Sequence, residues 1–142
     1  MAQNPFIGTW RLVSFERIDS EGQTSYPFGH DFAGYLMYDE KGYMSVAIMG
    51  ADRPHFASAE RIKEGNTDEK VAAVERYISY CGKYEIRGGK IIHHTEIDLF
   101  PNAVGTDKER TYKFDDNRLT LSLAPREVEG KQQTARLVWE RV

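Results

Sequence analysis

The chain has 142 residues, of which 40% are hydrophobic and 29% charged, and its formal net charge is -3. That length suits one domain with a sizeable core, expected to span 1–142, and is too short for two ordinary ones. The scattered Lys and Arg exclude the basic stripe of a nucleic-acid surface, no apolar run is long enough for a membrane span, and a lone cysteine, Cys81, excludes an intrachain disulfide or a cysteine-based zinc site.

The N-terminal stretch MAQNPFIGTW carries no basic flank and no apolar h-region, which predicts no secretory signal and, with it, a cytoplasmic protein. Residues 8–18 (GTWRLVSFERI) alternate with period two and predict a strand. One face holds Trp10, Leu12, Ser14 and Glu16, the other Arg11, Val13, Phe15 and Arg17. Both faces are mixed, and Trp10 is taken as inward. Residues 19–31, rich in Gly, Ser and Pro, read as a loop. Strands follow over 33–39 and 43–49, joined by Asp39-Glu40-Lys41-Gly42, which suits a type I turn closed by a left-handed glycine. Their inward face stays open, since Tyr35 and Met37 look as buriable as Leu36 and Tyr38.

Residues 50–79 form a long connection. A short helix is expected over 58–64, stopped by Gly65, and a second begins at Thr67 as N-cap, with Asp68 and Glu69 favoured by the helix dipole. Val71, Val74 and Ile78 recur at helical spacing, giving an apolar stripe that packs on the sheet or covers an opening.

Residues 80–98 (YCGKYEIRGGKIIHHTEID) are the clearest hairpin. Gly88-Gly89 favours a primed two-residue turn, which fixes the register. Arg87 then faces Lys90, Ile86 faces Ile91, Tyr84 faces His93, Gly82 faces Thr95 and Tyr80 faces Ile97. On the other face Glu85 meets Ile92, Lys83 meets His94 and Cys81 meets Glu96. The first set is the more apolar and should point inward, carrying His93 with it. Beyond a loop over 99–107, a strand over 108–114 puts Arg110, Tyr112 and Phe114 on one face. A tight turn at Asp115-Asp116-Asn117 leads into 118–124, whose Leu119, Leu121 and Leu123 form an inward stripe. After a polar loop, 133–142 is the last strand, with Ala135, Leu137, Trp139 and Arg141 on one face.

Counted in order, the connections run long, tight, long, tight, long, tight, long. In an eight-strand meander this puts every tight turn at one end and every long segment at the other. The expected fold is therefore all-β, an eight-stranded up-and-down antiparallel barrel with one or two short helices at its open end. Trp10 and Arg141 meet at the closed floor, and the interior is wide enough for one small ligand.

These residues resemble a known family. Gly8-Thr9-Trp10 with Arg141 resembles the Gly-X-Trp plus arginine signature of lipocalin and calycin barrels. The ordered set FIGTWRLVSFE, Pro27-Phe28-Gly29, GYLMYDEKGYMSV, YISYCGKYEI, His93, FPNAVGT and Arg110 resembles the bacterial and fungal lipocalin-like domain family over almost the whole chain. The resemblance implies an internal pocket for a small, largely apolar molecule, and an arginine packed over the floor tryptophan. Some members of natural-product pathways look like cyclases or isomerases.

His93 and Arg110 are the candidate catalytic pair if the protein is an enzyme. An imidazole in an apolar barrel serves as general base or orients a carbonyl; otherwise it is a neutral structural histidine bonded to Tyr84. Arg110 meets an oxygen of the ligand, or else a carboxylate such as Glu16 across the barrel. Tyr84, His93, Thr95, Arg110, Tyr112 and Leu121 are the expected ligand-binding residues, with Trp10 and Arg141 as structural floor. His30, His55, His93 and His94 make no metal set, because adjacent strand residues point to opposite faces. Haem ligation through His93 has no other support, so no cofactor is expected. Cys81 falls on the outer face. The leading reading is a barrel that binds a small hydrophobic molecule with a polar oxygen, as monomer or homodimer, without nucleic-acid or membrane partners. The alternative is a cofactor-free cyclase, isomerase or dehydratase using the same pocket. A third is a barrel filled by its own side chains, whose surface binds another protein.

Overall fold

The computed structural model describes residues 4–142; Met1 to Gln3, the start of the stretch read above for a signal, lie outside the described residues. In chain order the elements are β1 (Gly8–Asp19), β2 (Thr24–Ser25), β3 (Phe32–Tyr38), β4 (Tyr43–Gly50), α1 (Thr67–Glu75), β5 (Tyr77–Arg87), β6 (Lys90–Asp98), β7 (Asp107–Asp115), β8 (Arg118–Ser122), β9 (Arg126–Val128) and β10 (Lys131–Arg141). The sheet runs β2-β1-β3-β4-β5-β6-β7-β8-β10-β9 and closes through β1 on β10. Eight long antiparallel strands thus form the expected barrel, and the two short ones, β2 and β9, extend β1 and β10 near the mouth.

The three tight turns share one end, as the alternation of connections predicts. Each contains a residue with positive φ: Gly42 at 95°, Gly88 at 62° and Asp116 at 55°. Asp39 locks the first turn by accepting from the backbone N–H of Lys41 and Tyr43 at 2.9 and 2.8 Å. The open question over β3 and β4 resolves in favour of Leu36, Tyr38, Met44, Val46 and Ile48 inside, with Tyr35 and Met37 half exposed.

Below the barrel the N-terminal segment folds back as a plug. Phe6 is fully buried and meets Tyr38, Tyr112 and Phe114 edge-on at 5.4, 4.9 and 4.9 Å. Its carbonyl accepts from Trp10 Nε1 at 2.9 Å. The Arg141 guanidinium lies over the Trp10 ring at 4.2 Å and donates to the carbonyls of Ile7 and Pro5 at 2.8 and 2.7 Å. Gly8 has φ 134°, and a Cβ there would stand 2.7 Å from that guanidinium, so the glycine of Gly-X-Trp makes room for the arginine.

Two bulges alter the expected registers. In β1 Leu12 pairs with Trp139 but Ser14 pairs with Val138, so Val13 is the extra residue. Beyond it the faces exchange. Phe15 and Arg17 turn inward, and Glu16 turns out to bind Arg136, with Nε to Oε1 at 2.7 Å. Glu16 is therefore not the partner of Arg110. In the central hairpin the register holds from Arg87↔Lys90 to Gly82↔Thr95, then shifts, so Cys81 pairs with Ile97 and Tyr80 with Asp98. The extra residue is Glu96, and Ile97 is left 67% exposed. Gly82 is required there, because a Cβ would run into the His94 carbonyl.

The mouth also differs from expectation. Residues 58–64 yield only a 3-10 turn, Ile62–Glu64. The N-cap of α1 is Asn66, one residue before Thr67, in a capping box with Glu69. No residue of α1 is buried, Val71 and Val74 are 47% and 54% exposed, and Ile78 belongs to β5. The apolar stripe thus neither packs on the sheet nor covers the opening. Arg76, just after the helix, ties this connection down by donating to the Phe28 carbonyl at 3.0 Å and pairing with Asp52 at 2.9 Å. No helix among the described residues is long and apolar enough to cross a membrane.

Candidate functional site

Inward alternation on β1, β3, β4, β8 and β10 leaves the upper barrel hollow. The cavity is about 230 Å³, walled by Phe15, Leu36, Val46, Ile48, Ile78, Leu121, Leu123, Leu137 and Trp139. Its polar members are Tyr80, His93 and Arg110, with Arg17, Arg126, Gln133 and Thr134 also on its wall.

His93 is 1% exposed, and both ring nitrogens are engaged. Nε2 lies 2.7 Å from the Tyr38 hydroxyl and Nδ1 lies 2.8 Å from that of Tyr80. Burial above all, and then the charges of Arg110, Lys108 and His94, push the imidazole down to about 3. A neutral imidazole offers one donor and one acceptor. Tyr38 has no other side-chain or backbone partner among the described residues and does not line the cavity. The tautomer that leaves no buried donor idle has Tyr38 donating to Nε2 and Nδ1–H donating to Tyr80. The Tyr80 O–H is then free to point at whatever occupies the cavity. Burial raises both tyrosines, Tyr38 strongly; at Tyr80 the nearby Arg110 charge works against that rise.

Arg110 faces inward from β7 opposite Ile91. Its Nη1 donates to the Glu109 carbonyl at 3.0 Å, and the guanidinium also approaches the Tyr80 hydroxyl. A second hollow of about 250 Å³ adjoins the first and shares Ile78, Tyr80 and Arg110 with it. It lies beyond the end of the β6–β7 ladder at His94↔Asp107, where the connecting loop stays bonded to β6 through Thr95 with Thr106 and Gly105. Lys108 sits there, paired with Asp98 at 3.4 Å and 4.9 Å from the centre of the Tyr80 ring.

Of the residues expected to meet a ligand, His93, Arg110 and Leu121 come together on the cavity wall. Tyr84, Tyr112 and Thr95 do not line it. Tyr84 is drawn to the floor, where its hydroxyl donates to the Asp39 carbonyl at 2.7 Å and accepts from Asn4 at 3.0 Å. Histidine 93 is accordingly bonded to Tyr38 and Tyr80, not to Tyr84. Tyr112 packs on Phe6, with its hydroxyl 3.3 Å from the Gly88 carbonyl. Thr95 is buried and its hydroxyl is without a partner among the described residues. Sequence reasoning passed over Tyr38, Tyr80, Arg17 and Trp139. Tyr80 was on the face read as inward, and the period-two pattern of β10 grouped Trp139 with Ala135, Leu137 and Arg141 on one face, but Arg17 was hidden by the β1 bulge.

Outside the barrel, His94 bridges two carboxylates, Glu85 at 2.8 Å and Asp107 at 2.7 Å. These bonds raise its pKa above the ordinary histidine value. The cluster links β5, β6 and β7 across their outer face. Cys81 is free and half-buried.

The family described as "Lipocalin-like domain" matches residues 7–142, and the chain belongs to it. Among curated proteins, a 4'-hydroxy-3'-methoxypropiophenone carrier protein of Aspergillus oryzae is 26% identical over 108 residues, which are 70% of this chain and 96% of that protein. Among solved structures, a lipocalin-like protein from Bacteroides uniformis aligns with a TM-score of 0.48 and 11% identity, over 98% of this chain and 100% of that one. A fatty acid transporter, REP1-NXSQ, aligns with a TM-score of 0.42 and 13% identity, over 96% and 95%.

Proposed function

We propose that the protein binds one small, largely apolar molecule carrying a polar oxygen inside the barrel. The observation that carries this reading is the hollow itself: about 230 Å³ of mostly aliphatic and aromatic wall, with a tyrosine hydroxyl and a guanidinium at one side. A barrel filled by its own side chains would show no such space. A relative described as a carrier of an aryl ketone supports the same reading, since that ligand is apolar with ketone, hydroxyl and methoxy oxygens. Within the site, Tyr80, Arg110 and Leu121 are the proposed ligand contacts, and His93 acts by holding Tyr80.

The alternative, cofactor-free cyclisation, isomerisation or dehydration, needs a proton acceptor near neutral pH. His93 suits that task poorly, being held down to about 3 with both nitrogens occupied by tyrosines. Binding without turnover is therefore the reading put forward, in a cytoplasmic protein acting as monomer or homodimer. Native mass spectrometry tests it, on the protein as purified and after incubation with a panel of apolar aryl and alkyl ketones, acids and alcohols. The expected result is a one-to-one adduct that Leu121→Trp, which fills the cavity, abolishes. Adducts of equal abundance in the variant would place binding elsewhere.

A further inference from the structure

The charges around the cavity are one-sided. Arg17, Arg110 and Arg126 all lie on its wall, and no Asp or Glu does. This occurs in a chain whose formal net charge is -3, so it does not follow from composition. None of the three has an ion-pair partner among the described residues. Nearby cations are treated differently: Lys108 is matched by Asp98, and Arg136, on the outer face, by Glu16. Glu16 has been turned outward by the β1 bulge that turned Arg17 in, and Asp98, in the adjoining hollow, is taken up by Lys108.

The ladders put two of these arginines at one level. Arg17 pairs with Ala135, the Leu123 N–H donates to the Ala135 carbonyl, and Thr111 pairs with Ser122, which sets Arg110 beside Leu123. The level therefore reads Arg17, Ala135, Leu123, Arg110. Three interstrand steps separate the two arginines, about 14 Å along the curved wall and less across it. Between them stand one small and one apolar side chain, so both guanidiniums can reach a single group in the hollow. A further donor waits unused, the buried Trp139 Nε1, which has no partner among the described residues and lies on the same wall.

We infer that the molecule bound in this barrel is an apolar acid, its anionic oxygens held between Arg17 and Arg110 with the hydrocarbon or aryl part in the cavity. The inference rests on the binding function proposed above and narrows its ligand class. A guanidinium half-removed from water and lacking a carboxylate is poorly compensated, and a bidentate ligand anion supplies the missing partner. The tautomer of the His93 pair adds Tyr80 O–H to the donor side, no Asp or Glu lines the cavity, and Asp98 in the adjoining hollow is neutralised by Lys108.

The test uses a matched pair of probes, 3-(2-naphthyl)propionic acid and its methyl ester, titrated by calorimetry at pH 7 into the full chain. The acid should bind at least tenfold tighter than the ester, and its affinity should fall with added salt while the ester's stays nearly constant. In the Arg17→Met, Arg110→Met double variant the preference for acid over ester and its salt dependence should both vanish. Should the variant fold poorly, the salt dependence in the wild-type protein carries the decision alone. Equal affinity for acid and ester in the wild-type protein would overturn the anion while leaving the apolar pocket standing. Binding of neither probe would overturn both.

Discussion

Replacing Phe6 with alanine should cost far more than its place outside any strand suggests. The side chain is fully buried under the barrel and makes three edge-on ring contacts, with Tyr38, Tyr112 and Phe114. Truncating a buried Phe removes about 3–5 kcal/mol through lost transfer energy and the cavity left behind. The segment that carries it is pinned by the carbonyl bonds to Trp10 and Arg141, so collapse into the void is restricted and about 4 kcal/mol is expected. Over 142 residues the unfolding entropy is about 0.3 kcal/mol/K, so Tm should fall by roughly 13 °C. Calorimetry or near-UV dichroism would read it, and Phe6→Leu should recover more than half of the loss. A fall of less than about 3 °C would show that the floor closes without the N-terminal plug.

Other expectations are equally direct. Gly82→Ala should destabilise by about 3 kcal/mol or more, since its Cβ meets the His94 carbonyl and either ladder or bulge must yield; a urea midpoint like that of the parent would refute the hairpin register. By NMR the pKa of His93 should lie below the ordinary histidine value and that of His94 above it. His93, held down to about 3, should stay neutral to below pH 4.5, and its contribution is complete above the unfolded value of about 6.5 and lost as pH falls toward 3, roughly 5 kcal/mol at most. His94, raised by Asp107 and then Glu85, contributes fully below about pH 6.5 and loses its contribution as pH rises through its folded pKa. A single shared titration near 6.5 would contradict both environments.

How much of this was legible in the sequence depended on whether a local rule or a tertiary event decided each residue. The closed barrel, its floor pair and the stripe Leu119, Leu121 and Leu123 follow from strand period and from the alternation of loop lengths, and the structure has them. The Gly88-Gly89 turn placed His93 inward correctly because turn geometry propagates along a ladder until something interrupts it. Interruptions are where the reading failed. A bulge at Val13 inverted Glu16 and Arg17, and one at Glu96 moved Tyr80 from Ile97 to Asp98, and no single-sequence pattern marks either. Tyr84 and Tyr112 share the inward face with His93 and Arg110 but sit lower in the barrel, where Phe6 and Asn4 claim them. Facing inward is a local property; facing the cavity depends on which segment fills the rest. The helix stripe at Val71 and Val74 failed for the same reason, since an apolar spacing does not say whether anything lies beneath it.

The most direct test of ligand binding inside the barrel is an amide NMR titration of the isotope-labelled protein with 3-(2-naphthyl)propionic acid. Shifts should concentrate at the residues that wall the cavity, Phe15, Arg17, Val46, Ile48, Tyr80, Leu121 and Leu137, with intermolecular contacts from the naphthyl protons to the Leu121 and Ile48 methyls. The floor residues Phe6 and Trp10 and the exposed helix α1 should stay still. Saturable shifts confined to α1, or to the outer faces of the strands with the Leu121 and Ile48 methyls unmoved, would contradict the account.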